Sequence, residues 1–218
     1  MSNRKRALLL GDYTHPKFHP LQGVDEEITR ILQDALTVQC SENKQMLEKE
    51  NLESFDLCIA YQDTWSDKVS SKQAAGLLSF VSAGGGLLVL HNGIVLHKKY
   101  ELAQLIGAKN TANPPMQKLE IKIADDKHDI VKGISPFEIY DEPYPFEFDP
   151  FNETTVLLTY ELNGETHPAA WAHAYGLGRV VYLLPGRDQA AFQHPEYRKV
   201  VLQAAKWAAR CPEGGLEF

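Results

Sequence analysis

Cysteine is scarce. Only Cys40, Cys58 and Cys211 occur in 218 residues, far apart and with no CxxC. That excludes a disulfide framework and a thiolate zinc site, and makes a reduced, cytoplasmic protein the expectation. Cys58 lies in the apolar run "FDLCIAY", where a thiol is a small hydrophobe. Long apolar stretches are also missing. None approaches the ~20 residues of a membrane span. The opening "MSNRKRALLLGDY" has four apolar residues before Gly11, too few for a signal peptide, so no membrane partner is expected. Positive charge is in deficit: 22 Lys and Arg against 29 Asp and Glu leave a net charge of -7. Phosphate backbones need clustered cations, so nucleic acid is not an expected partner. The sequence has no P-loop, GxGxxG, HExxH or GxSxG, and so lacks the commonest nucleotide and hydrolase signals.

What is present reads as α/β. Hydrophobic residues make up 44% and charged residues 23%, an ordinary globular balance. The length suits one large domain better than two, and no linker or repeat divides it, so residues 1–218 are expected to form a single domain. "RALLLGDY", "LTVQCS", "FDLCIAYQD" and "LLVLHNG" read as strands. Between them, Val24, Ile28, Ile31, Leu32, Ala35 and Leu36 recur at helical spacing, as do Ala74, Leu77, Leu78 and Val81. "KKYELAQLIG" reads as a short helix. Repeated β-α predicts a mainly parallel sheet flanked by helices in three layers. Later, "QKLEIKIADD" alternates like a half-exposed strand. "PAAWAHAYGLGRVVYLL" predicts a β-hairpin added to the sheet, turning at Gly176–Gly178. "GISPFEIYDEPYPFEFDP" is aromatic, acidic and proline-rich, and predicts a surface excursion. "HPEYRKVVLQAAKWAAR" predicts a closing helix with Pro195 in its first turn.

Open α/β sheets bind ligands at the carboxyl ends of their strands. The "GGGLLVLHNGI" stretch delivers His91, Asn92 and Gly93 to that edge. The other loops there offer Asp12, His15 and His19, then Gln62 and Asp63, then Glu142 and Tyr144, then Arg187 and Asp188. His91 is a candidate general base, oxyanion donor or metal ligand, set against a satisfied core histidine. His15 and His19 have i, i+4 spacing, but Pro16 and Pro20 argue against a helix that would turn both to one ion. A rigid, solvated His-Pro loop is the plain alternative. His15 and His91 are nevertheless the candidate ligands for a zinc-like divalent metal. Glu142, with carboxylates and rings around it in "DEPYPFEF", suits a sugar: carboxylates accept hydroxyls and rings stack on sugar faces. Arg187 is a candidate clamp for an oxyanion, or half of an ion pair with Glu142 or Asp188. The catalytic candidates are therefore His91, His15, Glu142 and Arg187. The substrate-binding candidates are Asp12, His19, Asp63, Asn92, Gly93, Tyr144 and Asp188.

At these residues the chain resembles the ThuA-like, or trehalose utilization, family. The resemblance rests on the His-bearing first loop, "GGGLLVLHNG", "HDIVKGISPFEIYDEPY", "PAAWAHAYGLGRVVYLLPGRD" and "AAFQHPEYRKVVLQAAKWAA", in that order along nearly the whole chain. It implies the class I glutamine amidotransferase-like, flavodoxin-like superfold. In true amidotransferases a cysteine nucleophile holds the elbow taken here by His91, so glutamine hydrolysis is not expected. The family commonly reads Gly-His-Asp where this chain has Gly186-Arg187-Asp188, which replaces a base or ligand by a permanent cation. The usual Asp-Glu-Leu-Tyr is Asp141-Glu142-Pro143-Tyr144 here. The resemblance implies a role in carbohydrate metabolism, on an oxidised (3-keto) sugar or glycoside, as isomerase, lyase or hydrolase. The competing expectation is a non-catalytic carbohydrate-binding or protein-interaction module. A small-molecule carbohydrate is the expected partner, and a twofold homodimer would be common for such a fold.

Overall fold

The computed structural model describes residues 4–14, 19–63 and 68–212. The first half repeats strand and helix: β1 (Lys5–Leu10), α1 (Val24–Leu32), β2 (Leu36–Ser41), α2 (Lys49–Leu52), β3 (Leu57–Ala60), α3 (Ser71–Ser82), β4 (Gly86–Leu90) and α4 (Tyr100–Ile106). The second half is mostly strand: β5 (Ala108–Asn110), β6 (Gln117–Ile123), β7 (Phe137–Asp141), β8 (Phe146–Phe148), β9 (Thr155–Leu162), β10 (Glu165–Tyr175) and β11 (Gly178–Leu183), closed by α5 (Pro195–Ala208). Among the described residues, nine strands form one sheet in the order β2-β1-β3-β4-β11-β10-β9-β6-β7. The first five are mutually parallel. The last four join antiparallel, through the β10–β11 hairpin.

Local chemistry accounts for the two halves. Every residue of β3 and β4 is buried, because helices cover both faces of a parallel sheet. α1 packs on α5, and α3 on α4, as the two covering layers. α3 begins with a capping box, in which the Ser70 hydroxyl accepts from Gln73 N–H and the Gln73 side chain accepts from Ser70 N–H. α5 carries Pro195 at its start and buries Tyr197, Val200, Val201, Ala204 and Ala208, the face its sequence predicts. In β7 burial alternates strictly, as it should where one sheet face meets solvent.

The surface excursion expected over "GISPFEIYDEPYPFEFDP" is corrected. Its first part is β7, an edge strand of the main sheet that ends on the fully buried Asp141. Its second part, β8, pairs with β5. Phe146 and Phe148 set their rings edge-on to the buried Trp171, at 4.9 and 5.0 Å between centroids, and Trp171 stacks on Tyr182 at 4.2 Å. The Trp171 indole N–H donates to the Ile106 carbonyl at 2.9 Å. Phe146 and Phe148 are thus half-buried against the core, while Tyr140 stays exposed, and the two rings anchor β8 on Trp171.

Candidate functional site

β4 ends at Leu90, and His91 opens a 3-10 helix, His91–Lys98. Its φ of +44° is left-handed, uncommon for a residue with a side chain. Asn92, a natural choice for such a turn, is not the residue that adopts it. Gly93 lets this turn fold back on the sheet, since a Cβ there would lie 2.1 Å from the Ala60 carbonyl oxygen. Gly186 makes room from the other side. Its φ is +146°, and a Cβ on it would stand 3.0 Å from the His91 Cβ.

His91 is fully buried. Its Nδ1 lies 2.7 Å from the Leu184 carbonyl oxygen and 3.5 Å from Asp141 Oδ1. A carbonyl only accepts, so Nδ1 carries a hydrogen and Nε2 faces the other way. Nε2 is 3.2 Å from Glu142 Oε2 and 3.0 Å from the Tyr144 hydroxyl, and the Tyr144 ring stacks on the imidazole at 4.7 Å. His19 comes close to the same arrangement. Its Nδ1 is 3.2 Å from both the Arg187 carbonyl oxygen and the Arg187 guanidinium Nη1, its Nε2 is 4.0 Å from the same Glu142 Oε2, and its ring meets that of His91 edge-on at 4.7 Å. Both imidazoles thus have Nδ1 beside a backbone carbonyl and Nε2 turned to one carboxylate oxygen, the arrangement that orients metal-binding histidines, although the Arg187 guanidinium competes with the carbonyl for His19 Nδ1. One ligand atom from each of His19, His91 and Glu142 falls within 4.8 Å of the others, a cluster able to hold a metal ion.

Charge supports that reading. Burial, and then the neighbouring His91, push His19 down to about 3, so its ring is neutral and keeps a lone pair near pH 7. Burial opposes ionisation of Glu142, but the side-chain hydrogen bonds of His91 and Tyr144 prevail and hold it at about 2. Tyr144 is driven above the ordinary phenol range, first by burial and then by its 2.7 Å hydrogen bond to Glu142, so it stays a donor. With Nδ1–H already on Leu184, a neutral His91 would aim its Nε2 lone pair at an ionised carboxylate oxygen. The Tyr144 hydroxyl can donate to only one of the two. A cation, either a proton or a metal ion, has to lie between Nε2 and Oε2.

Around this pair sits a framework that sequence reasoning had not assigned a role. Asp141 is buried, and its Oδ2 accepts from Gly186 N–H at 2.8 Å and Arg187 N–H at 3.2 Å, while Oδ1 accepts from Glu142 N–H at 2.8 Å. Burial drives its carboxyl upward against the stabilising charge of His91 and these donors. It ties Glu142, one of the ligand residues, to the Gly186–Arg187 turn. Its position at the end of an alternating strand, one residue before Glu142, is the signal that could have found it. Tyr182 and Tyr61 add hydroxyl donors to the His91 and Gly186 carbonyls, at 3.3 and 2.9 Å.

Of the sequence candidates, His91, His19, Glu142, Tyr144 and Arg187 come together. Arg187 pairs with Glu142, Nε to Oε1 at 3.0 Å, through charge rather than an aligned hydrogen bond. Asp12 Oδ2 accepts from Asp63 N–H at 2.9 Å, joining the loops after β1 and β3. Among the described residues, Asn92 is buried with both amide atoms unpartnered, and so is Gln62. Asp188 is exposed and caps a turn, accepting from Ala190 N–H at 2.9 Å. His15 lies outside the described residues. Cys58 is buried within β3 and its thiol is pushed up to about 12 by burial, so it offers no thiolate.

A family model described as ThuA, trehalose utilisation, matches residues 13–208, and the chain belongs to that family. No curated protein matches it. Among solved structures it is similar to a protein described as ThuA-like from Parabacteroides merdae, with TM-score 0.78 and 16% identity over 99% of this chain and 94% of the other. A protein described as ThuA-like from Bacteroides uniformis gives the same score and identity over 94% and 91%. A cold-adapted β-galactosidase from Rahnella sp. R3 gives 0.67 at 17% identity, over 97% of this chain but 32% of that one. These likenesses establish the fold.

Proposed function

We propose that the chain is an enzyme of carbohydrate metabolism that acts on an oxidised (3-keto) sugar or glycoside, as isomerase, lyase or hydrolase, with a divalent, zinc-like metal held by His19, His91 and Glu142. The observation that carries the reading is the convergence of two Nε2 atoms on one ionised carboxylate oxygen. Two imidazoles and a carboxylate are a known catalytic zinc donor set. The sequence named His15 with His91 as ligands; His19 takes the place of His15 in this proposal. A bound metal would supply Lewis-acid polarisation of the keto oxygen. The protein's own groups do the rest. Asp141 and the Leu184 carbonyl hold the His91 tautomer. Tyr144 keeps a proton on its hydroxyl beside the ligand atoms, ready to donate to a developing alkoxide. Arg187 orients Glu142 and places a cation next to the oxyanion. With His91 on the metal, His15 is the remaining candidate for the base that takes the proton next to the carbonyl. Gln62 and Asn92, whose buried amides are unpartnered among the described residues, are the proposed readers of substrate hydroxyls, with Asp12 and Asp63, joined by a hydrogen bond, as further substrate-binding candidates.

We also assign residues 1–218 to a single domain of the class I glutamine amidotransferase-like superfold. Support comes from the 2-1-3-4 strand order and from the strained residue at the end of β4. The three free cysteines favour a reduced compartment. No helix among the described residues is long and apolar enough to cross a membrane. The exposed β7 edge, with Tyr140 on it, is where a second copy would pair.

One observation favours the non-catalytic module: Arg187 already occupies the outer oxygen of Glu142. Purified protein incubated with 3-keto glycosides decides between them. Turnover that disappears in His91→Ala supports the enzyme. Saturable sugar binding without turnover, with metal supplied, supports the module and overturns the proposal.

A further inference from the structure

A second charged site lies at the other edge of the sheet. Arg179 is aligned with Gly86, five residues before His91 on β4, which puts it about 16 Å from the carboxyl-edge site along the strand. Beside it, a cavity of about 470 Å³ opens between the 3-10 turn Asp129–Val131, the start of β11 and the last turn of α5. Lys132, Arg179, Lys206 and Arg210 line it, with Asp129 the single carboxylate among the lining residues. Four cations against one anion is the reverse of the charge balance of the whole chain.

Capping of α5 explains part of this cluster. The Arg179 guanidinium donates to the Trp207 carbonyl at 2.9 Å and lies 4.6 Å from the Trp207 ring centroid. Arg210, in left-handed conformation, donates to the Leu177 carbonyl. These bonds fix both guanidinium groups and use few of their N–H donors. Lys132 and Lys206 cap nothing and form no ion pair among the described residues. Gln203 donates to the Lys132 carbonyl at 3.0 Å, which leaves its own Oε1 buried and unpartnered. Burial, and then the charge of Arg210, lower Arg179 against the opposing charge of Asp129.

We propose that this cavity binds a phosphate-type oxyanion, either free phosphate or the phosphate of a hydroxylated ester. The cations meet the charged oxygens, and Gln203 Oε1 accepts from the remaining P–OH or a neighbouring hydroxyl. The site is independent of the chemistry at His91, and its separation across the sheet makes it an accessory or regulatory site.

The test is titration of the full chain with inorganic phosphate and with glycerol 2-phosphate, against chloride at matched ionic strength. Calorimetry and intrinsic tryptophan fluorescence, to which Trp207 contributes, give two readouts. Saturable binding is expected, weakened at least about tenfold in the Lys132→Ala/Lys206→Ala double variant, because two charge-assisted contacts are lost. It is expected to persist in His91→Ala. Tighter binding of the ester than of phosphate identifies the ester as the ligand class, and the opposite order identifies the free anion. No saturation by either probe overturns the proposal. So does binding that survives the double variant unchanged, or binding that is lost in His91→Ala, which would put the anion at the other site.

Discussion

Asp141→Asn isolates the framework behind the site with almost no change of volume. The native carboxylate accepts three backbone N–H groups and lies 3.5 Å from His91 Nδ1. The amide oxygen of asparagine can keep the two donors from Gly186 and Arg187. Its NH2 then replaces Oδ1 and confronts two other donors, Glu142 N–H and the Nδ1–H of His91. One buried N–H left unpaired costs about 1–3 kcal/mol, and exchanging a charged acceptor for a neutral one removes roughly another 1 kcal/mol. The expected loss is therefore roughly 2–4 kcal/mol. For a chain of this length that lowers Tm by about 5–15 °C. Urea unfolding at pH 7, read by Trp fluorescence, measures it. The same variant should bind zinc 10–100-fold more weakly, because Glu142 N–H loses its acceptor and the negative charge behind His91 is gone, with the Leu184 carbonyl alone left to hold Nδ1–H. An Asp141→Asn protein within about 0.5 kcal/mol of native, with unchanged metal affinity, would refute the framework argument.

Three further outcomes follow from the same geometry. Arg187→Ala should raise divalent-metal affinity tenfold or more in calorimetry, because a fixed cation within a few ångström of the ligand atoms opposes a second cation. Gly93→Ala should destabilise by about 3 kcal/mol in thermal or urea unfolding, since its Cβ would stand 2.1 Å from the Ala60 carbonyl and the 3-10 turn would have to lift. In chelator-treated protein, stability should fall on acidification in two windows. His19 has a folded value near 3, below its unfolded one, so the unfolded chain takes up the proton first and stability drops from about pH 6.5 downward, by up to about 1.4 kcal/mol per pH unit. Glu142, held near 2, adds its loss as the pH falls below about 4.5. Urea titrations across pH 7 to 3 measure both, and His19→Gln should shrink the upper window, to which His97, His128 and His173, also lowered by burial, contribute the rest.

The β-α half was legible because its strands carry short apolar runs and are spaced by amphipathic helices. β2 and the buried face of α5 lie where their sequences place them. The segment after Gly133 was misread for a physical reason. Acid, proline and aromatic residues mark a loop on average, but here the aromatics pack around Trp171 and the fully buried carboxylate of Asp141 is consumed by backbone donors. Burial of a charge depends on partners from distant loops, which local pattern does not contain. His91 was legible because of where its strand ends. Its left-handed backbone was not, because that follows from the Gly186 loop opposite. His19 was seen as a neighbour of His15, yet only the fold brings it to within 4.0 Å of Glu142.

Metal analysis of the untagged protein is the most direct measurement on the central claim. The native chain, grown with metals supplied, is compared with His91→Ala, His19→Ala and Glu142→Gln. The account predicts close to one divalent ion per chain, lost or sharply reduced in all three variants. A native protein that holds no metal and takes none up on titration with zinc would contradict it, and the cation between His91 and Glu142 would then be a proton.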